Sequence, residues 1–278
     1  MIRQPAVAGS FYPRREAALR QVVRSLLSSA KAQGPAPKAI IVPHAALPYS
    51  GAVAALAYAS LGVARAAIRR IILLGPAHYV GLRGVAATSA EAFATPLGSV
   101  PVDQAAASLV TTLPQGCLLD AAHAPEHSLE VQLPFLQELL DPFILVPLVV
   151  GHATPKAVGE VLDVLWGTPE TRIVVSSDLS HYHDDSTARK LDQDTASAIE
   201  RLAPEAITPD RACGQTAING LLWSARRHDL KATTLSLRTS ADAGGPSDCV
   251  VGYGAFLFHP ASDDAERTVN RGRFLSEG

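Results

Sequence analysis

The stretch RRIILLGPAHY, residues 69–79, decides how this chain is read. Ile71, Ile72, Leu73 and Leu74 form a short apolar run that fits a strand buried on both faces. Gly75 and Pro76 are expected to stop it, because a proline cannot donate to a sheet ladder. His78 then falls just beyond the strand's C-terminal end. Open α/β sheets place their ligand crevice outside those ends. The plan recurs twice. Residues 39–42 read as a strand and lead through Pro43 to His44, and residues 172–177 lead to Asp178 and His181. Several strands thus deliver imidazoles to one edge of one sheet.

Working outward, apolar periodicity predicts helices over 14–31, 52–61, 157–165 and 185–202, with another from Gly214 to about 226. Asp103 suits the N-cap of a short helix. A helix over 128–140 has Glu130 near its positive end, and Pro134 calls for a kink or a late start. Strands are expected at 85–87 and at 143–150, the latter at an edge or bulge because of Pro147. Two late strands, 230–239 and 249–259, fit an antiparallel pair. Residues 91–101 read as irregular, 178–185 as a loop, and the opening residues 1–13 either as an ordered arm lying on the body near the site or as a strand or loop covering the core edge. The sum is a single α/β domain over residues 1–260. It has a central, mostly parallel or mixed sheet with helices on both faces, and a polar tail follows over 261–278.

Of the 278 residues, 47% are apolar and 18% charged, which describes a well-packed globular chain. A net charge of -2 gives no electrostatic case for nucleic acid or a membrane surface. No run reads as a leader or a membrane span, so the cytoplasm is the expected location. Cys117, Cys213 and Cys249 are too few and too scattered for a disulfide framework. Phosphate-binding, dinucleotide-binding and nucleophile-elbow motifs are absent.

The nine histidines carry more. Neutral imidazole is a good ligand for iron, zinc or copper. His44 and His78 each follow a strand through a proline, and a mononuclear site asks for a third ligand. His181, His127, Asp178 and Cys213 are all candidates, and spacing does not choose among them. Cys213 also precedes a helix, whose N-terminus would lower a thiol's pKa and suit a thiolate ligand or nucleophile. Asp178 is placed to orient an imidazole, and His181 and His127 to act as acid/base groups. Simple hydrogen-bonded loop histidines are the competing explanation.

The motifs PAVAGSFYP at 5–13, VPHA at 42–45, YSG at 49–51, LGPAH at 74–78, EHSLEVQLPFL at 126–136, SSDLSHY at 176–182 and Cys213-Gly214 occur together and in order. The chain resembles the MEMO family, whose bacterial and archaeal members are called AmmeMemoRadiSam system protein B. The resemblance implies a fold like the catalytic subunit of class III extradiol ring-cleaving dioxygenases, with the ligand set His44, His78 and Cys213. His181, Asp178 and His127 would line the same pocket. It also implies one transition metal ion, Fe2+ or Cu+ first and Zn2+ next, and association with AMMECR1-like and radical SAM proteins. The expected functions are a metal-dependent oxidoreductase on a small molecule, a copper- or iron-binding protein without turnover, or a peptide-binding partner. After PHA the family's Gly-Tyr is Ala46-Leu47 here, and Gln215-Thr216-Ala217 replaces the usual stretch after CG. Both departures flank ligand positions, so substrates do not carry over from relatives.

Overall fold

A computed structural model describes residues 1–261; the expected polar tail, from residue 262 on, lies outside the described residues. Four parallel strands form the centre, in the order β2 (Ala39–Val42), β9 (Thr171–Ser176), β3 (Arg70–Pro76) and β8 (Ile144–Val150). Beyond β8, β4 (Val85–Ala87) runs antiparallel to it and parallel to β7 (Gly116–Leu118). On the other side β12 (Val250–Pro260) pairs antiparallel with β2, with β11 (Leu230–Thr239) and with β10 (His181–His183). The sheet is mixed, as the sequence suggests.

Side chains alternate across the central strands and feed two separate cores. Ile40, Val42, Ile71, Leu73, Leu145 and Val174 face α1 (Glu16–Ser29), α2 (Leu47–Leu61) and α5 (Leu133–Leu139). Ile41, Ile72, Leu74, Val146, Leu148 and Val175 face α3 (Gln104–Thr111), α6 (Pro155–Leu165), α7 (Asp185–Glu200) and α8 (Gln215–Arg227). Burial on both faces explains why these strands read as unbroken apolar runs. The α2 stretch, continued to Ala64, has the length and apolarity of a membrane span, contrary to the sequence reading. Its small residues Ala54, Ala55 and Ala57 are packed in the core.

Both proline expectations need correction. β3 continues through Gly75 and Pro76, which pair with Val149 and Val150. The Ala77 N–H reaches Val150 O (3.1 Å), so the donor Pro76 lacks would face β9, whose pairing ends at Leu74. β8 is central, not an edge strand. Pro147 turns its missing donor to the side where Leu145 bridges Val102 and Val149 meets Ala86, with no partner between. A parallel ladder tolerates proline where the neighbour has left.

Other elements also differ. Residues 91–101 form a hairpin, β5 (Ala92–Thr95) and β6 (Gly98–Pro101), that pairs with β1 (Ile2–Arg3). The 178–185 segment contains the short strand β10. The helix after Ala46 starts at Leu47, with Pro48 in its first turn. A 3-10 turn (Glu130–Gln132) precedes α5, so Pro134 marks a late start. Asp103 caps α3 as expected, accepting from Ala106 N at 2.9 Å.

The opening arm is tied down by one carboxylate. Glu130, fully buried, accepts from Ala6 N (2.7 Å), Val7 N (3.0 Å), the Tyr12 hydroxyl and the Arg3 guanidinium. This brings Phe11 against His127, with ring centroids 4.8 Å apart. Removing one partner of a buried ion pair leaves the other uncompensated, a loss of about 3–5 kcal/mol. Glu130→Gln is expected to destabilise by that amount in urea unfolding; a loss below about 1 kcal/mol would show that the arm is not held this way.

Candidate metal centre

Three strand ends meet at the site. β2 delivers His44 through Pro43, β3 delivers His78 two residues past Pro76, and β9 ends in Ser176 and leads to Asp178. Cys213 arrives from the opposite direction, just before α8. Two glycines permit the approach. A Cβ on Gly75 would sit 2.5 Å from Ser128 Oγ, and one on Gly214 2.7 Å from Ser177 Cβ. The Gly214 N–H donates to Ser177 Oγ at 2.9 Å, which seats Cys213 beside the end of β9.

His44, His78 and Cys213 each offer a donor atom, and these atoms lie within 4.8 Å of one another. Cys213 Sγ is 3.4 Å from His44 Nε2. A tetrahedral ion with metal–nitrogen and metal–sulfur bonds of ordinary length would separate such atoms by about 3.6 Å. His127 joins them: its ring centroid is 5.4 Å from that of His44 and 4.7 Å from that of His78, nearly stacked on the latter. His181 sits close enough for its charge to act on both His44 and Asp178.

The hydrogen bonds assign the tautomers. Ser176 Oγ donates its one hydrogen to Ser128 O (2.6 Å) and accepts from Gln132 Nε2 (2.8 Å). It can only accept from His44 Nδ1, 2.9 Å away, so His44 carries its proton on Nδ1 and a lone pair on Nε2. His78 Nδ1 donates to Glu126 Oε1 (2.9 Å), and His181 Nδ1 to Leu179 O (2.8 Å). In the neutral imidazole this leaves Nε2 as the free nitrogen of each ring.

Electrostatics agree. Burial, with the charges of the neighbouring histidines, pushes His44 down to about 3; burial and His44 bring His127 to about 4. Burial alone would raise Glu126. The His78 ring and the N–H groups of His78 and Ser128 outweigh it and hold the carboxyl at about 2. Burial raises Asp178 against the N–H bonds it accepts from His44 (2.8 Å) and Ala45 (3.3 Å). Burial, helped by Asp178, raises the Cys213 thiol to about 12. The expected lowering by the helix N-terminus does not prevail, so without a cation the thiol stays protonated and is no free nucleophile.

Asp178 therefore anchors the backbone of the His44 loop; it does not orient a ring. The ring-orienting groups are Glu126, Ser176 and Gln132, which the sequence reading left without a role although all three lie in the quoted motifs. His123, four residues before His127 with Pro125 between them, does not join the site. His123 turns into the core, its Nε2 3.0 Å from Ala86 O and its ring against Phe93.

Comparison with known proteins follows the same lines. The family model for Memo-like proteins matches residues 3–257. This chain belongs to the Memo-like family. A MEMO1 family protein of Aquifex aeolicus is 33% identical to it, covering 92% of this chain and 99% of that protein. Those of Nitrosopumilus maritimus (31%, 93% and 100%) and Methanosarcina mazei (33%, 92% and 98%) are similarly close. Among solved structures, an uncharacterized protein from Escherichia coli K12 superposes with a TM-score of 0.48 at 15% identity, over 77% of this chain and 98% of that one.

Buried neutral histidines make the Memo-like chain acid-sensitive. His44, His123 and His127 all have folded pKa values below the ordinary 6.5. The unfolded chain takes up these protons as pH falls through 6.5, while the folded one refuses them until about 3 to 4. Their stabilisation is complete above 6.5 and lost below it. In chelator-treated protein, unfolding free energy is expected to drop by more than about 1.4 kcal/mol, one proton's worth, between pH 6 and 5. His123→Gln should remove about one proton from that slope; a flat profile would refute the assignment.

Proposed function

We propose that the cleft of this Memo-like protein holds one first-row transition metal ion on His44, His78 and Cys213, and serves a metal-dependent oxidoreductase acting on a small organic molecule. The observation that carries this reading is the tautomer assignment. Two imidazoles held by dedicated acceptors and one thiol sulfur offer donor atoms within 4.8 Å of one another, and the His44 lone pair faces that sulfur at 3.4 Å. Loop histidines with no such task would not need a saturated serine hydroxyl and a buried carboxylate behind them.

The donor set is soft, two nitrogens and a thiolate, and suits copper(I), thiolate-ligated iron(II) or zinc(II) better than an ion that prefers oxygen. Copper or iron would supply one-electron chemistry at this point; zinc would supply Lewis acidity alone. On binding, Cys213 gives up the proton that it shares with His44 Nε2. Glu126 and Ser176 keep both rings in the ligating tautomer. His181, with Nε2 free of partners among the described residues, can take a proton from a bound molecule. His127, half-buried and neutral, can do the same.

Protein purified without oxygen should contain about one equivalent of copper, iron or zinc for this centre. Cys213→Ser should abolish tight binding, Glu126→Gln should weaken it about 10–100-fold, and His181→Ala should keep the ion but lose oxygen uptake with substrate. Parent-like metal affinity in Cys213→Ser, measured by competition with a chelator, would remove the ligand set.

A further inference from the structure

Of the six tyrosines, Tyr12, Tyr58 and Tyr253 are buried. A buried tyrosine hydroxyl ordinarily finds a hydrogen-bond partner. Tyr12 donates to Glu130, and Tyr58 donates to Gln132 Oε1 at 2.9 Å. Tyr253 is 2% exposed, yet its hydroxyl has no partner among the described residues. Nor is that oxygen sealed in the core, as the unpartnered Ser180 Oγ and Asp192 Oδ2 are; its tip meets solvent.

Sheet register places Tyr253 at the cleft. β12 runs beside β2 with Phe256 opposite Ile41. Carried three residues further along each chain, the same register sets Tyr253 level with His44. On β12's pairing with β10, His181 stands opposite Val251, two residues from Tyr253. Tyr253 therefore lies in the opening where β2 has ended and β10 has not begun. It belongs with Ala255, Leu257, Ile40 and Val42 to the core on α2's side of the sheet. Asp178 and Tyr49, the latter in the first turn of α2, are near enough for their charges to act on it. Asp178 uses only Oδ1 for the His44 loop and does not bond Tyr253, so a gap separates the two groups. A donor left free at this depth costs stability unless something outside the chain accepts from it. A tyrosine hydroxyl carries its proton at neutral pH, so the acceptor belongs to the incoming molecule.

We propose that Tyr253 is a substrate-binding residue of the cleft, its hydroxyl donating to a hydroxyl or carbonyl oxygen of the organic molecule that the site takes up. The proposal rests on the cleft being the binding site for a small organic molecule. It adds the group that separates an oxygen-bearing molecule from a hydrocarbon of the same shape, since a site built to hydrogen-bond its substrate discriminates against an analogue lacking the partner.

Phenol and toluene have the same shape, and only phenol has the oxygen. The rings of Phe11 and Tyr79 against His127 suit both. Binding of each to chelator-treated parent protein and to Tyr253→Phe would be followed by NMR titration. Phenol affinity is expected to fall about three- to tenfold in the variant, the worth of one hydrogen bond, while toluene affinity stays within about twofold. The urea midpoint should not move, because the hydroxyl holds no part of the chain. Equal losses for both probes, an unchanged phenol affinity, no uptake of phenol by the parent or a lowered urea midpoint would each overturn the proposal. Metal content is measured separately. A chain without metal whose phenol binding depends on Tyr253 would count against the oxidoreductase reading alone, and a chain that holds its metal but loses phenol and toluene alike would count against Tyr253 alone.

Discussion

The Ser176 hydroxyl has one hydrogen and three neighbours. Because Ser128 O can only accept and the Gln132 amide nitrogen can only donate, the third contact must be a donation from His44 Nδ1. That constraint determines which lone pair His44 shows to Cys213, and with it what the site can bind. Gln132 in turn spans Pro43 O (2.9 Å) and the Tyr58 hydroxyl (2.9 Å), so the ligand loop, the helix α2 and the turn before α5 share one hydrogen-bonded group. A polar network this deep is stable only when every member is satisfied.

Glu126 plays the matching part for His78. It is buried, accepts from both the backbone and the ring of His78, and lies 3.5 Å from His127 Nδ1. One carboxylate therefore stands beside both the His78 ring and the His127 ring. The network extends outward through the 126–136 segment, since Glu130, four residues on, clasps the arm that brings Phe11 to His127. The opening arm is thus hydrogen-bonded to the segment that carries Glu126 and His127, although more than a hundred residues separate the two.

The parallel centre of the sheet explains why these side chains collect here. Strands β2, β3 and β9 end together, and the loops that leave them carry imidazoles and carboxylates into one crevice. The prolines inside β3 and β8 do not break this frame, because each sits where its absent N–H would have faced no neighbour.

The residues alone determined the α/β class, the buried strands at 39–42 and 71–74, the major helices, and the placing of His44 and His78 just past strand ends. These are local signals: apolar runs, periodicity and punctuation by Gly and Pro. Ligand convergence is not local. Cys213 and His44 are 169 positions apart, and the packing of α8 against β9 brings them to 3.4 Å. The same holds for the state of each group. Whether Cys213 is a thiol or thiolate, which nitrogen of His44 bears the proton, and whether Asp178 holds a ring or a backbone are set by burial and by neighbours distant in sequence. Periodicity carries no record of those neighbours, so tertiary structure alone decided them.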